Sequence, residues 1–168
     1  ASIQDTEPLI FLKPTSSIIG PNDQIVNPFS DINIWGECEL GIVIGKTLRL
    51  ISESEALDSI FGYCCANDVS ASNLGGRDHH LALSKAADTF CVLGPWIDTD
   101  FVPGSQIIRG LHNKMVLREA SLESRFIKEA RLLAWLSTWM TLNAGDVILT
   151  GAPSRLRDRQ FFKPGDTF

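Results

Sequence analysis

Apolar residues fall in short blocks divided by turn-forming ones, and most blocks have the length and content of strands. Leu9-Ile-Phe-Leu12 predicts a strand, closed at Lys13-Pro14 where proline removes the next backbone donor. Residues 15–34 scatter Gly, Pro, Asn and Asp, which reads as loop with one short strand. Trp35 to Ile44 reads as the main strand and ends at Gly45-Lys46. Ser52 and Glu55 stand at capping-box spacing, and Ala56, Leu57, Ile60 and Phe61 form an apolar stripe closed by Gly62, which predicts a helix. Tyr63 to Val69 is a second buried strand, residues 70–84 a polar loop, and Phe90 to Ile97 contains a strand ended by Gly94-Pro95. A longer amphipathic helix is expected from Phe126 to Met140, then a turn at Asn143-Ala-Gly-Asp146 and a strand at Val147-Ile-Leu-Thr150. The pattern predicts a mixed, mostly-β fold with two packing helices.

Composition narrows the class of molecule. With 168 residues, 44% hydrophobic and 21% charged, the chain suits a single globular domain over residues 1–168 with a sizeable core. A net charge of −5 argues against nucleic acid and against a polybasic membrane patch. Cys38, Cys64, Cys65 and Cys91 form no C-x-x-C pair and read as buried free thiols of a reducing compartment. No apolar run approaches the ~20 residues of a membrane helix, and the chain opens on a polar, acidic stretch without a signal peptide. A soluble, cytoplasmic protein is the expectation.

Three positions carry candidate chemistry. Glu37 and Glu39 are spaced i, i+2, so in a strand they share a face, inside an otherwise apolar run bracketed by Gly36 and Gly41. Two like charges that close repel unless a proton or cation lies between them; a solvated, exposed face is the alternative. Asp68 ends the apolar run Tyr63-Cys-Cys-Ala-Asn67, a costly place for a carboxylate without a partner. Three carboxylates suit a hard cation such as Mg²⁺ or Mn²⁺ rather than zinc. Lys85 is either an ordinary surface lysine or a fixed positive charge beside that cluster.

The order of these motifs resembles the fumarylacetoacetate hydrolase family over nearly the whole chain. The matching stretches are Phe11-Leu-Lys13-Pro14, Glu37-x-Glu39 with Gly41-Ile-Val-Ile-Gly45-Lys46, Gly62-Tyr63, Asn67-Asp68-Val-Ser70, Ser84-Lys85 with Asp88-Thr-Phe90, Gly94-Pro95-Trp96, and Thr141-Leu-Asn-Ala-Gly145-Asp146-Val-Ile-Leu-Thr150-Gly151-Ala-Pro153. The resemblance implies a β-rich roll, a homodimer, and Mg²⁺ or Mn²⁺ held by Glu37, Glu39 and Asp68. It implies Lys85 as the active-site lysine, and Lys13, Thr150, Gly151 and Ala152 as substrate-pocket lining. The substrates it implies are 2-oxo or 1,3-dicarbonyl acids, cleaved or decarboxylated through a metal-bound enolate. Keto–enol or double-bond isomerisation of a dicarboxylic dienoate is the alternative, as is a binding or structural subunit without catalysis.

The chain departs from the family pattern in places that bear on that choice. Where the family runs Ala-Arg-Asp-x-Gln after the Asn-Asp motif, this chain has Ala71-Ser72-Asn73-Leu74-Gly75, which removes an arginine able to pair with a carboxylate. Arg77 is a candidate replacement by a loop shift. Ala152 replaces a threonine. A His/Glu pair on an upstream lid and a closing strand after Gly165-Asp166 are both expected to lie outside the chain. His79 and His80 read as a solvated loop, or as a stand-in for the lid acid/base. Four tryptophans, Trp35, Trp96, Trp135 and Trp139, are many for this length and suit an interface.

Overall fold

Strand β3, Cys38–Ile44, is buried at every position, which is why its sequence is apolar apart from Glu39. The computed structural model describes residues 7–73, 76 and 78–168. The element order is β1 (Ile18–Ile19), β2 (Ile34–Trp35), β3, α1 (Glu53–Ala56), β4 (Ile60–Asp68), β5 (Ser70–Ala71), α2 (Ala82–Lys85), β6 (Cys91–Asp98), β7 (Ile107–His112), β8 (Met115–Ser121), α3 (Glu129–Trp139) and β9 (Val147–Leu149). The main sheet runs β1-β6-β4-β3-β9, and two-stranded pairs β2–β5 and β7–β8 complete a mostly-β roll. Its pairings are antiparallel apart from β1–β6.

The core divides along β3. Leu40, Ile42 and Ile44 point to one face, where they pack with Ala56 and with Leu132, Leu133 and Leu136 of α3. The intervening residues, Glu39, Gly41 and Val43, take the other face. Gly41 is required there, since a Cβ would meet Cys64 Sγ at 2.8 Å. A smaller core of Ile34, Val69, Ala71 and Phe90 lies under β2–β5.

Several expected elements are shorter or different. Leu9 to Leu12 forms no strand. The helix expected to reach Phe61 stops at Ala56, although its capping box is formed, with the Ser52 N–H donating to Glu55 Oε2 at 2.9 Å. A 3-10 turn, Leu57–Ser59, follows and the sheet takes the rest: Gly45 N–H donates to Ser59 O at 2.7 Å and Ile60 pairs with Ile44. Gly94-Pro95 does not end its strand but lies within β6, where the β4–β6 register shifts and a missing donor is tolerated. Loop residues 82–84 belong to a third, short helix, α2, that carries Lys85. The β7–β8 hairpin has no counterpart in the sequence reading. Of the thiols, Cys38, Cys64 and Cys91 are buried and free, whereas Cys65 is free but exposed, as opposite-facing neighbours on β4 require. Among the described residues no helix is long and apolar enough to cross a membrane.

Candidate metal centre

The end of β4 is stitched to the break between β2 and β3, and that stitch assembles the acidic cluster. Glu37 occupies the break, with its N–H donating to Asn67 Oδ1 (3.0 Å) and its carbonyl accepting from the Asp68 N–H (2.9 Å). Glu39 is the second residue of β3 and Asp68 the last of β4, both buried. One oxygen from each of Glu37, Glu39 and Asp68 lies within 4.8 Å of the other two. The three carboxylates expected to converge do so.

Two lysines enter the same cluster. Lys85 Nζ donates to Glu37 Oε2 (3.0 Å), to Ser70 Oγ (2.5 Å) and, very closely, to Asp68 Oδ2. It also sits 4.7 Å from the centre of the Phe11 ring. Its helix is fixed by Asp78, whose Oδ2 accepts from the Ser84 N–H at 2.6 Å. Asp78 is itself clasped by Asn73, which donates to its carbonyl and accepts from its N–H. The altered loop thus has a structural task at Asn73. Lys13 Nζ donates to Asp68 Oδ1 (2.6 Å) and to the carbonyls of Lys85 (2.6 Å) and Val69 (3.3 Å), which uses all three of its hydrogens. It stands within the cluster, against Asp68.

Electrostatics sort these groups. Burial acts to lower the Lys85 pKa, but the Asp68 and Glu37 carboxylates outweigh it and hold the ammonium above the usual lysine range. For Lys13 burial wins over Asp68, and the nearby charge of Lys85 pushes the same way, so its pKa falls. Glu37 is held low, because Lys85 and Arg118 outweigh its burial. Glu39 is pushed up to about 8, first by burial and then by the charge of Asp68. Its hydrogen bond among the described residues comes from the Gly151 N–H, at 2.5 Å from Oε2. An all-oxygen donor set, with one buried carboxylate that has no cationic side chain in contact among the described residues, fits a hard divalent cation.

Thr150, Gly151 and Ala152 adjoin the cluster through that Gly151 contact. Gly151 has φ +89°, a conformation that favours glycine and that turns the chain past Glu39. The Thr150 hydroxyl is spent on the Leu40 carbonyl at 3.0 Å. All three residues line a cavity of about 590 Å³ whose other walls include Leu40, Phe126, Leu132, Leu136 and Ile148. The cavity is mostly apolar, and the 150–153 segment separates it from the carboxylates.

Sequence reasoning missed Arg118. It lies on β8, is buried, and donates from Nη2 to Glu37 Oε1 at 2.7 Å. An arginine does pair with a cluster carboxylate, then, but it comes from a strand 81 positions away rather than from the 71–75 loop. Arg77 lies outside the described residues. His79 and His80 are exposed, as a solvated loop requires.

Residues 2–168 match the family model for the fumarylacetoacetate (FAA) hydrolase C-terminal region. A mitochondrial oxaloacetate tautomerase of Xenopus laevis is 38% identical over 169 residues, covering 95% of this chain and 53% of its own. The crystal structure of a 5-carboxymethyl-2-hydroxymuconate delta-isomerase from Mycobacterium smegmatis superimposes with a TM-score of 0.87 at 39% identity, over 96% of this chain and 63% of the other. A maleylpyruvate hydrolase from Sphingobium sp. SYK-6, solved with manganese(II) and pyruvate, gives a TM-score of 0.79 at 32% identity, over 93% and 57%. The chain spans little more than half the length of the curated relatives it matches.

Proposed function

Because the chain belongs to the fumarylacetoacetate hydrolase family, we propose that it is a Mg²⁺- or Mn²⁺-dependent enzyme that cleaves or decarboxylates a small 2-oxo or 1,3-dicarbonyl acid through an enolate. The observation that carries this reading is the convergence of Glu37, Glu39 and Asp68 with the Lys85 ammonium among them. A manganese-bound relative that hydrolyses maleylpyruvate supports the choice of ion and of reaction.

Glu37, Glu39 and Asp68 would hold the divalent cation, which when bound would supply Lewis-acid charge to the substrate's oxygens. Lys85 supplies a second, fixed positive charge. Its raised pKa keeps it an ammonium, so it stabilises negative charge developing on the enolate oxygen and is unsuited to attack a carbonyl. Lys13 holds Asp68 from the opposite side and keeps that carboxylate aimed at the cluster. The 150–153 segment, held to Glu39 through the Gly151 N–H, lines the substrate's approach on the cluster side.

A second reading, keto–enol or double-bond isomerisation of a dicarboxylic dienoate, is favoured by the isomerase and the tautomerase among the relatives. Both readings use the same enolate and differ in whether a C–C bond breaks. The test is a panel of acylpyruvates, oxaloacetate and hydroxymuconate-type diacids, assayed with Mg²⁺, with Mn²⁺ and with chelator. Mass spectrometry of the products separates cleavage, CO₂ loss and isomerisation. Turnover that persists in chelator overturns the metal-dependent reading. No turnover of any acid would leave the chain a binding or structural subunit.

A further inference from the structure

Arg118 makes two contacts that join the acidic cluster to the cavity wall. Its guanidinium donates from Nη2 to Glu37 Oε1 (2.7 Å) and, closely, from Nη1 to the Pro153 carbonyl. Glu37 Oε1 is thereby committed to the arginine, and Oε2 is the oxygen turned toward Lys85 and Ser70. The Pro153 carbonyl belongs to the segment whose Gly151 N–H holds Glu39. The same segment is tied to β3 by Thr150, through its N–H and hydroxyl on the Leu40 carbonyl, and to β8 by the Leu156 N–H on the Leu117 carbonyl (2.8 Å). One buried side chain therefore indexes Glu37 directly, and Glu39 through the cavity wall.

We propose that Arg118 is a positioning residue that restricts Glu37 to offering one oxygen to the cation and locks the 150–153 wall in register with that oxygen. This rests on the metal-dependent reading above. A guanidinium suits the task because its planar fork reaches two acceptors in fixed, different directions, whereas an ammonium on a flexible stem satisfies one at a time. Mutating a partner that orients a metal-binding side chain typically costs about 10–100-fold in metal affinity or activity.

Arg118→Met and Arg118→Lys, each checked for folding by circular dichroism and thermal melting, are titrated with Mn²⁺ by the loss of the free-ion paramagnetic resonance signal. The expected result is a Kd raised ~10–100-fold in Arg118→Met, with Arg118→Lys between it and wild type because it keeps the charge but not the fork. The KM for whichever panel acid the wild type accepts should rise in both variants, since the Pro153 carbonyl loses its fixed donor. If Arg118→Met fails to fold, Arg118→Lys carries the decision. Wild-type Mn²⁺ affinity in the folded variants overturns the proposal and leaves the metal-dependent reading standing. A wild-type chain that binds neither Mn²⁺ nor Mg²⁺ overturns that reading, and this proposal with it.

Discussion

Lys85 is where the residue-scale chemistry is most exposed to test. Its Nζ contacts two of the three cluster carboxylates, so its charge neutralises Glu37 and Asp68, and in the function proposed above it also faces a developing oxyanion. Lys85→Ala should lower turnover by ~10²–10³, the scale of losing one oxyanion donor, without weakening Mn²⁺ binding, because the substitution removes a cation from two ligand oxygens. Lys85→Arg should restore part of the rate. Borohydride added with substrate should trap no adduct; a covalent adduct on Lys85 would overturn its electrostatic role. A second residue-scale prediction concerns Asp166, which accepts from Lys163 N–H and Asn113 Nδ2 and pairs with His112 Nε2, clipping the last turn onto the β7–β8 hairpin. These partners, Asn113 foremost, depress its pKa to about 2. A carboxyl depressed in the folded state contributes stability above its unfolded pKa, and that stability is lost as pH falls through the folded value. The gap in urea midpoint between wild type and Asp166→Asn should accordingly be full at pH 5 and close as pH falls from about 4 to 2. An unchanged gap at pH 2 would show that the clip does not depend on the carboxylate charge.

At the scale of elements, the sheet outweighs local helix signals. Leu133 is fully buried in α3, against the face of β3 that carries Leu40, Ile42 and Ile44. Leu133→Ala should cost about 2–5 kcal/mol of unfolding free energy by urea denaturation, the range for leucines deleted from close-packed cores. A loss below 1 kcal/mol would mean that α3 is not clamped to the sheet. The elements legible in the sequence were those with a strong local period or composition: β3, β4, β9 and the body of α3. The α1 helix was legible at its capped start and not at its end, because its stop is set by pairing of Ile60 with Ile44, a contact that leaves no local mark. The β7–β8 hairpin was missed for another reason. Its two-residue turn is Asn113-Lys114, with φ of 49° and 68°, so the lysine takes a left-handed conformation where Gly is the usual signal. The site followed the same rule. Glu37, Glu39, Asp68 and Lys85 sit in recognisable motifs, whereas Arg118 reaches Glu37 from a strand that was itself unread.

At the scale of the whole molecule, the surface bears on the homodimer that the family resemblance implies. The chain exposes 10,062 Å², where a compact monomer of its mass exposes roughly 8,200 Å². The excess, roughly 1,900 Å², leaves room for the ~800 Å² that each partner contributes to a standard interface. Large apolar side chains are left in that surface: Trp96 and Ile97 on β6, Phe61 on the adjoining β4, and Trp139 at the end of α3 with exposures of 46–70%. Trp96, at 70%, is the largest of the group exposed on the main sheet and the residue type that most often anchors interfaces. We propose a homodimer whose interface includes Trp96. Light scattering at micromolar concentration should then give twice the 18.5 kDa mass of one chain, and Trp96→Asp should shift the population to monomer while the circular dichroism spectrum stays unchanged. A monomeric wild type would refute dimerisation and assign the exposed surface to other covering structure. A dimer that survives Trp96→Asp would move the interface off β6, leaving the face around Trp139 as the next to mutate.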